Sequence, residues 1–144
     1  LMIAYSCALR VSEVINLKIK DIDSKRMVIF ISNAKGNKDR IVKLSDHLLK
    51  TLRIYFTAFK PKEYLFNGQF TNQYSSSSCN KLVKKYIGAD YHFHQLRHSG
   101  ATAMLENGTD VSILQKILGH NSIKTTMIYT HISTNLIQQS KPAM

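Results

Sequence analysis

The stretch from His94 to Tyr129 carries H-Q-L-R-H, L-G-H and I-Y-T-H within a short span of helical pattern. His94 and Arg97 lie one turn apart, so a helix puts both on one face, where two hydrogen-bond donors can converge on an anion. His120 adds an imidazole, and Tyr129 follows closely enough for both to point into one cleft. A tyrosine among anion-binding side chains is a candidate nucleophile. Its phenol ordinarily ionises at about 10, so attack at neutral pH needs a proton acceptor or strongly positive surroundings. Further along the argument stands Arg10, which follows nine uncharged residues in a chain with five arginines and fifteen lysines. That placement invites a role beyond surface charge, although Glu13, three positions on, can simply pair with it.

The formal net charge is +11, from 20 Lys plus Arg against 9 Asp plus Glu, which favours polyanionic partners, nucleic acid first, through counterion release. Lys81, Lys84 and Lys85 share a helix face that either tracks a phosphate backbone or is only solvated. No helix pairs a basic face with an exposed aromatic one, which argues against a membrane surface as partner. His92, His94 and His98 offer a rival reading as zinc ligands, but the arginine among them would repel a cation and no cysteine pair completes the set. Cys7 and Cys79 lack metal or redox spacing and fit a reduced, cytoplasmic setting.

The elements that must position these residues follow from periodicity. With 144 residues and 44% hydrophobic content, the chain is sized for a single domain over residues 1–144. Residues 1–9 read as a buried helix that starts inside a larger protein, with neither a leader nor a membrane span. Ser12 is placed to cap a short helix from Glu13 to Leu17. Three β-type runs follow, L-K-I-K-D-I-D, M-V-I-F-I-S and R-I-V-K-L-S, and predict a three-stranded antiparallel sheet. The turn between the last two carries Lys35 and Lys38 beside Gly36-Asn37, either as a basic tip that enters a groove or as a solvated turn. Asp46 can cap a helix whose Leu48, Leu49, Leu52, Tyr55, Phe56 and Phe59 form one buried stripe ending near Pro61. A further helix buries Leu82, Val83, Tyr86 and Ile87 and closes at Gly88, after which helices begin near His94, Asp110 and Ser122, with breaks at Gly108 and Gly119. The fold class is therefore α+β, mostly helical with a small sheet.

Four segments now match a pattern: A-L-R-V-S-E at 8–13, A-K-G-N-K-D-R-I-V-K-L at 34–44, H-Q-L-R-H-S at 94–99, and L-G-H-N-S-I-K-T-T-M-I-Y-T-H at 118–131. Their order and spacing resemble the catalytic domain of the tyrosine recombinases, the integrase and Xer-like family of site-specific DNA recombinases. Ala8 stands where the family usually has Gly, and Gly100 where an aromatic residue is frequent. The resemblance implies that Arg10 and Arg97 clamp the scissile phosphate, His120 donates a further hydrogen bond, Tyr129 attacks the phosphorus, His94 helps to deprotonate it, and Lys35 protonates the leaving 5′-oxygen. Glu13 stands behind the arginines, while Lys38, Arg40, Lys81, Lys84 and Lys85 are expected on the DNA backbone. The implied product is a 3′-phosphotyrosyl link that stores the energy for rejoining, with no cofactor or metal. The implied partners are double-stranded DNA and further copies of the chain, as a tetramer on two duplexes that passes its C-terminal segment head-to-tail. The expected setting is cytoplasmic, on a bacterial nucleoid. The start of the catalytic domain and a separate N-terminal DNA-clamping domain are expected to be missing. Two alternatives stay open: a DNA-binding module of the same fold without independent activity, and a topoisomerase of the same chemical class.

Overall fold

The computed structural model describes residues 1–32 and 39–120. Six helices and three strands are found there: α1 (Met2–Ser6), α2 (Val11–Ile15), β1 (Ile22–Asp23), β2 (Val28–Ile31), β3 (Arg40–Lys43), α3 (Asp46–Phe59), α4 (Ser76–Tyr86), α5 (Phe93–Glu106) and α6 (Val111–Leu118). The expected α+β class holds, with a three-stranded antiparallel sheet in the order β1-β2-β3. Ile29 pairs with Val42, and Ile31 with Arg40. Alternate side chains of a strand share a face, so Ile29, Ile31, Val42 and Leu44 all turn into the core, each 2% exposed or less.

The first expected strand is shorter than its pattern suggests. Ile19–Asp21 form a 3-10 turn, held by the Lys18 backbone N–H donating to Asp21 Oδ2 at 2.8 Å. The preceding residues pair instead with the Y-L-F segment: Ile19 N–H donates to Glu63 O at 3.0 Å and Leu65 N–H to Leu17 O at 2.9 Å. The caps also shift by one or two residues. Arg10, and not Ser12, is the N-cap of α2. Ser45, and not Asp46, caps α3, its side chain accepting from Leu48 N–H at 3.2 Å. Asp46 then occupies the first turn, where the helix dipole favours its charge.

Leu48, Leu49 and Leu52 of α3 are buried, but the aromatic half of the expected stripe is not core: Phe56 and Phe59 are 45% and 69% exposed. Beyond Leu52 the helix packs through Tyr55, whose ring meets Phe66 edge-on at 5.4 Å and stacks on Phe59 at 4.8 Å. Tyr86 and Ile87, at the end of α4, are likewise exposed, against expectation, while Cys79 and Val83 carry that helix's buried face. The main core joins α1, α2, the sheet, α3 and α4 around Leu9, Ile29, Leu44 and Leu48, each side chain contributing roughly 1.5–3 kcal/mol through burial. A smaller cluster of Ala8, Ala101, Leu105, Leu114 and Leu118 fastens α5 to α6. Among the described residues, no helix is long and apolar enough to cross a membrane.

One close approach fixes α5 against α1. A Cβ built on Gly100 would lie 2.1 Å from the Tyr5 carbonyl oxygen, so only glycine permits this contact. Immediately after α1, Ala8 has φ of +50°, a left-handed conformation that an L-residue adopts at a cost of about 1–2 kcal/mol. That accounts for the glycine usual at this position in the resembling family, and the Ala8 carbonyl so turned reaches the site described next.

Candidate active site

Glu13 is the centre of the site. As the third residue of α2 its carboxylate folds back on the helix start, where Oε2 accepts from the Arg10 backbone N–H at 2.8 Å. Oε1 accepts from Arg10 Nη1 at 3.1 Å. The same carboxylate receives a two-pronged pairing from Arg40, with Nη1 donating to Oε1 at 2.7 Å and Nη2 to Oε2 at 2.8 Å. Arg97 Nη1 lies 3.8 Å from Oε2. One buried carboxylate thus holds three guanidiniums that come from the start of α2, from β3 and from α5. Burial pushes the Glu13 carboxyl up, but the Arg40 hydrogen bonds, the Arg10 N–H and the charges of Arg40 and Arg97 outweigh it and leave it below its ordinary value.

The C-terminal end of α6 is the second anchor. The last carbonyls of a helix lack intrahelical partners and carry its negative partial charge. Arg40 Nε donates to Ile117 O at 2.6 Å and Arg97 Nη2 to Leu118 O at 2.8 Å, so two arginines cap this helix end. Arg97 Nη1 donates to Ala8 O at 2.7 Å. The chain leaves α6 through Gly119 at φ +71°, and His120 N–H closes back on Gln115 O at 3.1 Å. That turn sets the His120 ring beside Arg97, with Nε2 3.5 Å from Nη2. Burial first, then the charges of Arg97, Arg10 and Arg40, lower the His120 imidazole to about 4, which keeps it neutral at pH 7 and able to present one N–H.

Arg10, Glu13, Arg97 and His120 are therefore brought together, as the sequence predicts. The Arg10–Glu13 pair and a role for Arg10 beyond it are not exclusive: the Arg10 side chain is 27% exposed and pairs only with Glu13 among the described residues. Arg40 differs from expectation. Its side chain is 7% exposed and its three nitrogens are turned inward to Glu13 and Ile117. The signal was present in the alternation R-I-V-K-L, which puts Arg40 on the same strand face as Val42 and Leu44. His94 is exposed at the start of α5, its ring stacked on His92 and edge-on to His98, each at 5.9 Å. Burial, then His94 and Arg97, lower the His98 imidazole. Among the described residues no three His, Cys, Asp or Glu side chains could hold a metal ion. Lys81, Lys84 and Lys85 are exposed on α4 and make no described contact with the Glu13 cluster. Lys35, Lys38 and Tyr129 lie outside the described residues.

Three guanidiniums and one carboxylate leave a centre of net positive charge on rigid elements, with a neutral imidazole at its edge, chemistry suited to an anion. Residues 1–135 match the model of the phage integrase family. The chain is 39% identical over 147 residues to tyrosine recombinase XerA of Pyrococcus horikoshii, covering 97% of this chain and 52% of that protein. It also superposes on a crystal structure of XerA recombinase with a TM-score of 0.83 at 32% identity, covering 95% of this chain and 52% of that one. A XerH site-specific recombinase bound to a palindromic difH substrate in a post-cleavage complex gives a TM-score of 0.80 at 27% identity, covering 96% and 42%. The chain belongs to the phage integrase family. It spans about half the length of the curated relatives it matches.

Proposed function

We propose that this chain is the catalytic part of a site-specific DNA recombinase that cuts and rejoins double-stranded DNA through Tyr129. The observation that carries this reading is the sharing of Glu13 by Arg10 and Arg97, with His120 against Arg97. Two guanidinium forks held by one carboxylate match the non-bridging oxygens of a phosphodiester, and a neutral imidazole adds an N–H without adding repulsion. Tyr129 and Lys35 enter through the family resemblance. The Tyr129 oxygen forms a bond to phosphorus, passing its proton to His94, while the bond from phosphorus to the 5′-oxygen breaks and that oxygen takes a proton from Lys35. The reverse reaction rejoins the strand without an external energy source. Fixed donors facing the extra charge of the pentacoordinate transition state supply the catalysis, each worth about 3 kcal/mol by analogy with single oxyanion donors.

The exposed lysines of α4 and the basic balance of the chain support a phosphate-tracking surface on the same molecule. A head-to-tail tetramer on two duplexes is the assembly that the family resemblance supports, with the segment after His131 as the exchanged piece. Relatives about twice as long support the view that a DNA-clamping half accompanies this one in the working enzyme.

The test is covalent capture. Incubated with a nicked suicide duplex of its target site in EDTA, the protein gives an adduct that survives denaturing electrophoresis, and Tyr129→Phe gives none. An adduct that persists in Tyr129→Phe, or that EDTA abolishes, overturns the mechanism.

A further inference from the structure

We infer that Arg40 is a positioning residue, which locks the end of β3 to the phosphate clamp and to the last turn of α6 and so sets Arg10, Arg97 and His120 without touching DNA. The inference rests on the phosphate-clamp reading of Arg10 and Arg97. Each nitrogen of the Arg40 guanidinium has a protein partner: Nη1 and Nη2 on the two oxygens of Glu13, Nε on Ile117 O. Its side chain is 7% exposed, and three of its five N–H groups are taken by Glu13 and Ile117. Gly119 lies against it, an added Cβ falling 3.4 Å from Arg40 Cδ and Nη1.

The location gives the contact its meaning. Arg40 pairs with Ile31 at the end of the sheet ladder, next to residues 33–38 in sequence, the segment that carries Lys35. One side chain therefore connects the strand leading from the candidate general acid to the carboxylate that aims both clamp arginines. Through Ile117 it reaches the turn that places His120. Lysine substitutes only in part: its ammonium keeps the charge and can serve Glu13 or Ile117, but it lacks the planar fork that serves both.

The experiment compares the parent protein with Arg40→Gln and Arg40→Lys, alongside Lys84→Gln as a surface-charge control. Binding to a random-sequence duplex is measured against salt concentration, and adduct formation on whichever nicked duplex the parent cleaves. The imidazole of His120, faced by Arg97, Arg10 and Arg40, is titrated by NMR without DNA. Arg40→Gln is expected to keep the parent's salt slope and duplex affinity, to slow adduct formation by about 10²-fold, the usual penalty of a misplacement near 1 Å, and to raise the His120 titration point above about 4. Arg40→Lys should recover part of the rate. A fall in salt slope of about 0.9, the signature of one lost phosphate contact, with an unchanged His120 titration, would overturn the inference. If the parent forms no adduct on any duplex, the recombinase reading fails on its own account, and the salt slope with the His120 titration still decides whether Arg40 acts from within.

Discussion

Replacing Glu13 by glutamine is the sharpest perturbation of this protein, because it changes one atom and removes the only negative charge in contact with the three arginines among the described residues. The carboxylate is 4% exposed, so solvent cannot supply a substitute counterion. Removing one partner of a buried ion pair costs about 3–5 kcal/mol, since the remaining charge is left desolvated. Here three remain, although the amide oxygen still accepts one hydrogen bond, so the lower end of that range is expected. Against a total stability of roughly 5–15 kcal/mol, a loss of about 3 kcal/mol lowers the melting temperature by about 6–12 °C for a domain of this size. The pH dependence gives an independent check. Glu13 titrates below its ordinary value of 4.5, so the unfolded chain binds the proton more readily. Its contribution is present above pH 4.5 and disappears as the pH falls through the lower folded value. The gap between parent and Glu13→Gln in urea melts should therefore be full at pH 7 and should close in acid. The double variant Glu13→Gln with Arg40→Gln should lose less than the sum of the two single losses, because neither partner is then left alone. A gap under about 1 kcal/mol at pH 7, or one that persists unchanged at pH 2, would refute the reasoning.

Two backbone predictions concern the surroundings of the cluster. Gly100→Ala forces a methyl carbon to within 2.1 Å of Tyr5 O and should destabilise the protein by about 1–3 kcal/mol through overpacking, visible as a lower midpoint in urea. Ala8→Gly relieves a φ of +50°, a gain of about 1–2 kcal/mol offset by one buried methyl worth about 0.8 kcal/mol and by a looser unfolded chain. It should therefore leave the melting temperature nearly unchanged, whereas Ala8→Val, with a β-branch in that conformation, should lower it clearly.

Period-two and period-3.6 patterns located every α-helix and all three strands in the described residues, because burial imposes those periods directly. The first strand was overextended: L-K-I alternates like a strand, yet its partner is the distant Y-L-F segment, and pairing between remote segments leaves no local trace. Phe56 and Phe59 fit the helical stripe of α3 but extend past the part of the core that could cover them, a matter of where the sheet ends. The grouping of Arg10, Glu13, Arg97 and His120 was implied by the family resemblance that the four motifs carry. The inward face of Arg40 was legible too, from Val42 and Leu44 on its strand face, but a cation just after Lys35 and Lys38 invited a surface assignment. That three arginines would share one glutamate was not legible, since Glu13 is local only to Arg10.

The way α6 ends has a consequence for the birth of the protein. Its last two carbonyls are taken by arginines 77 and 21 positions away in the chain, and the carbonyl that turns Arg97 is 89 positions from it. The two bonds that span 77 and 89 positions join remote parts of the chain, so their closure entropy is met only when those parts have come together. A nascent or damaged copy therefore has its motifs but no clamp. Completion of the fold is thus the condition for the arginine cluster to exist.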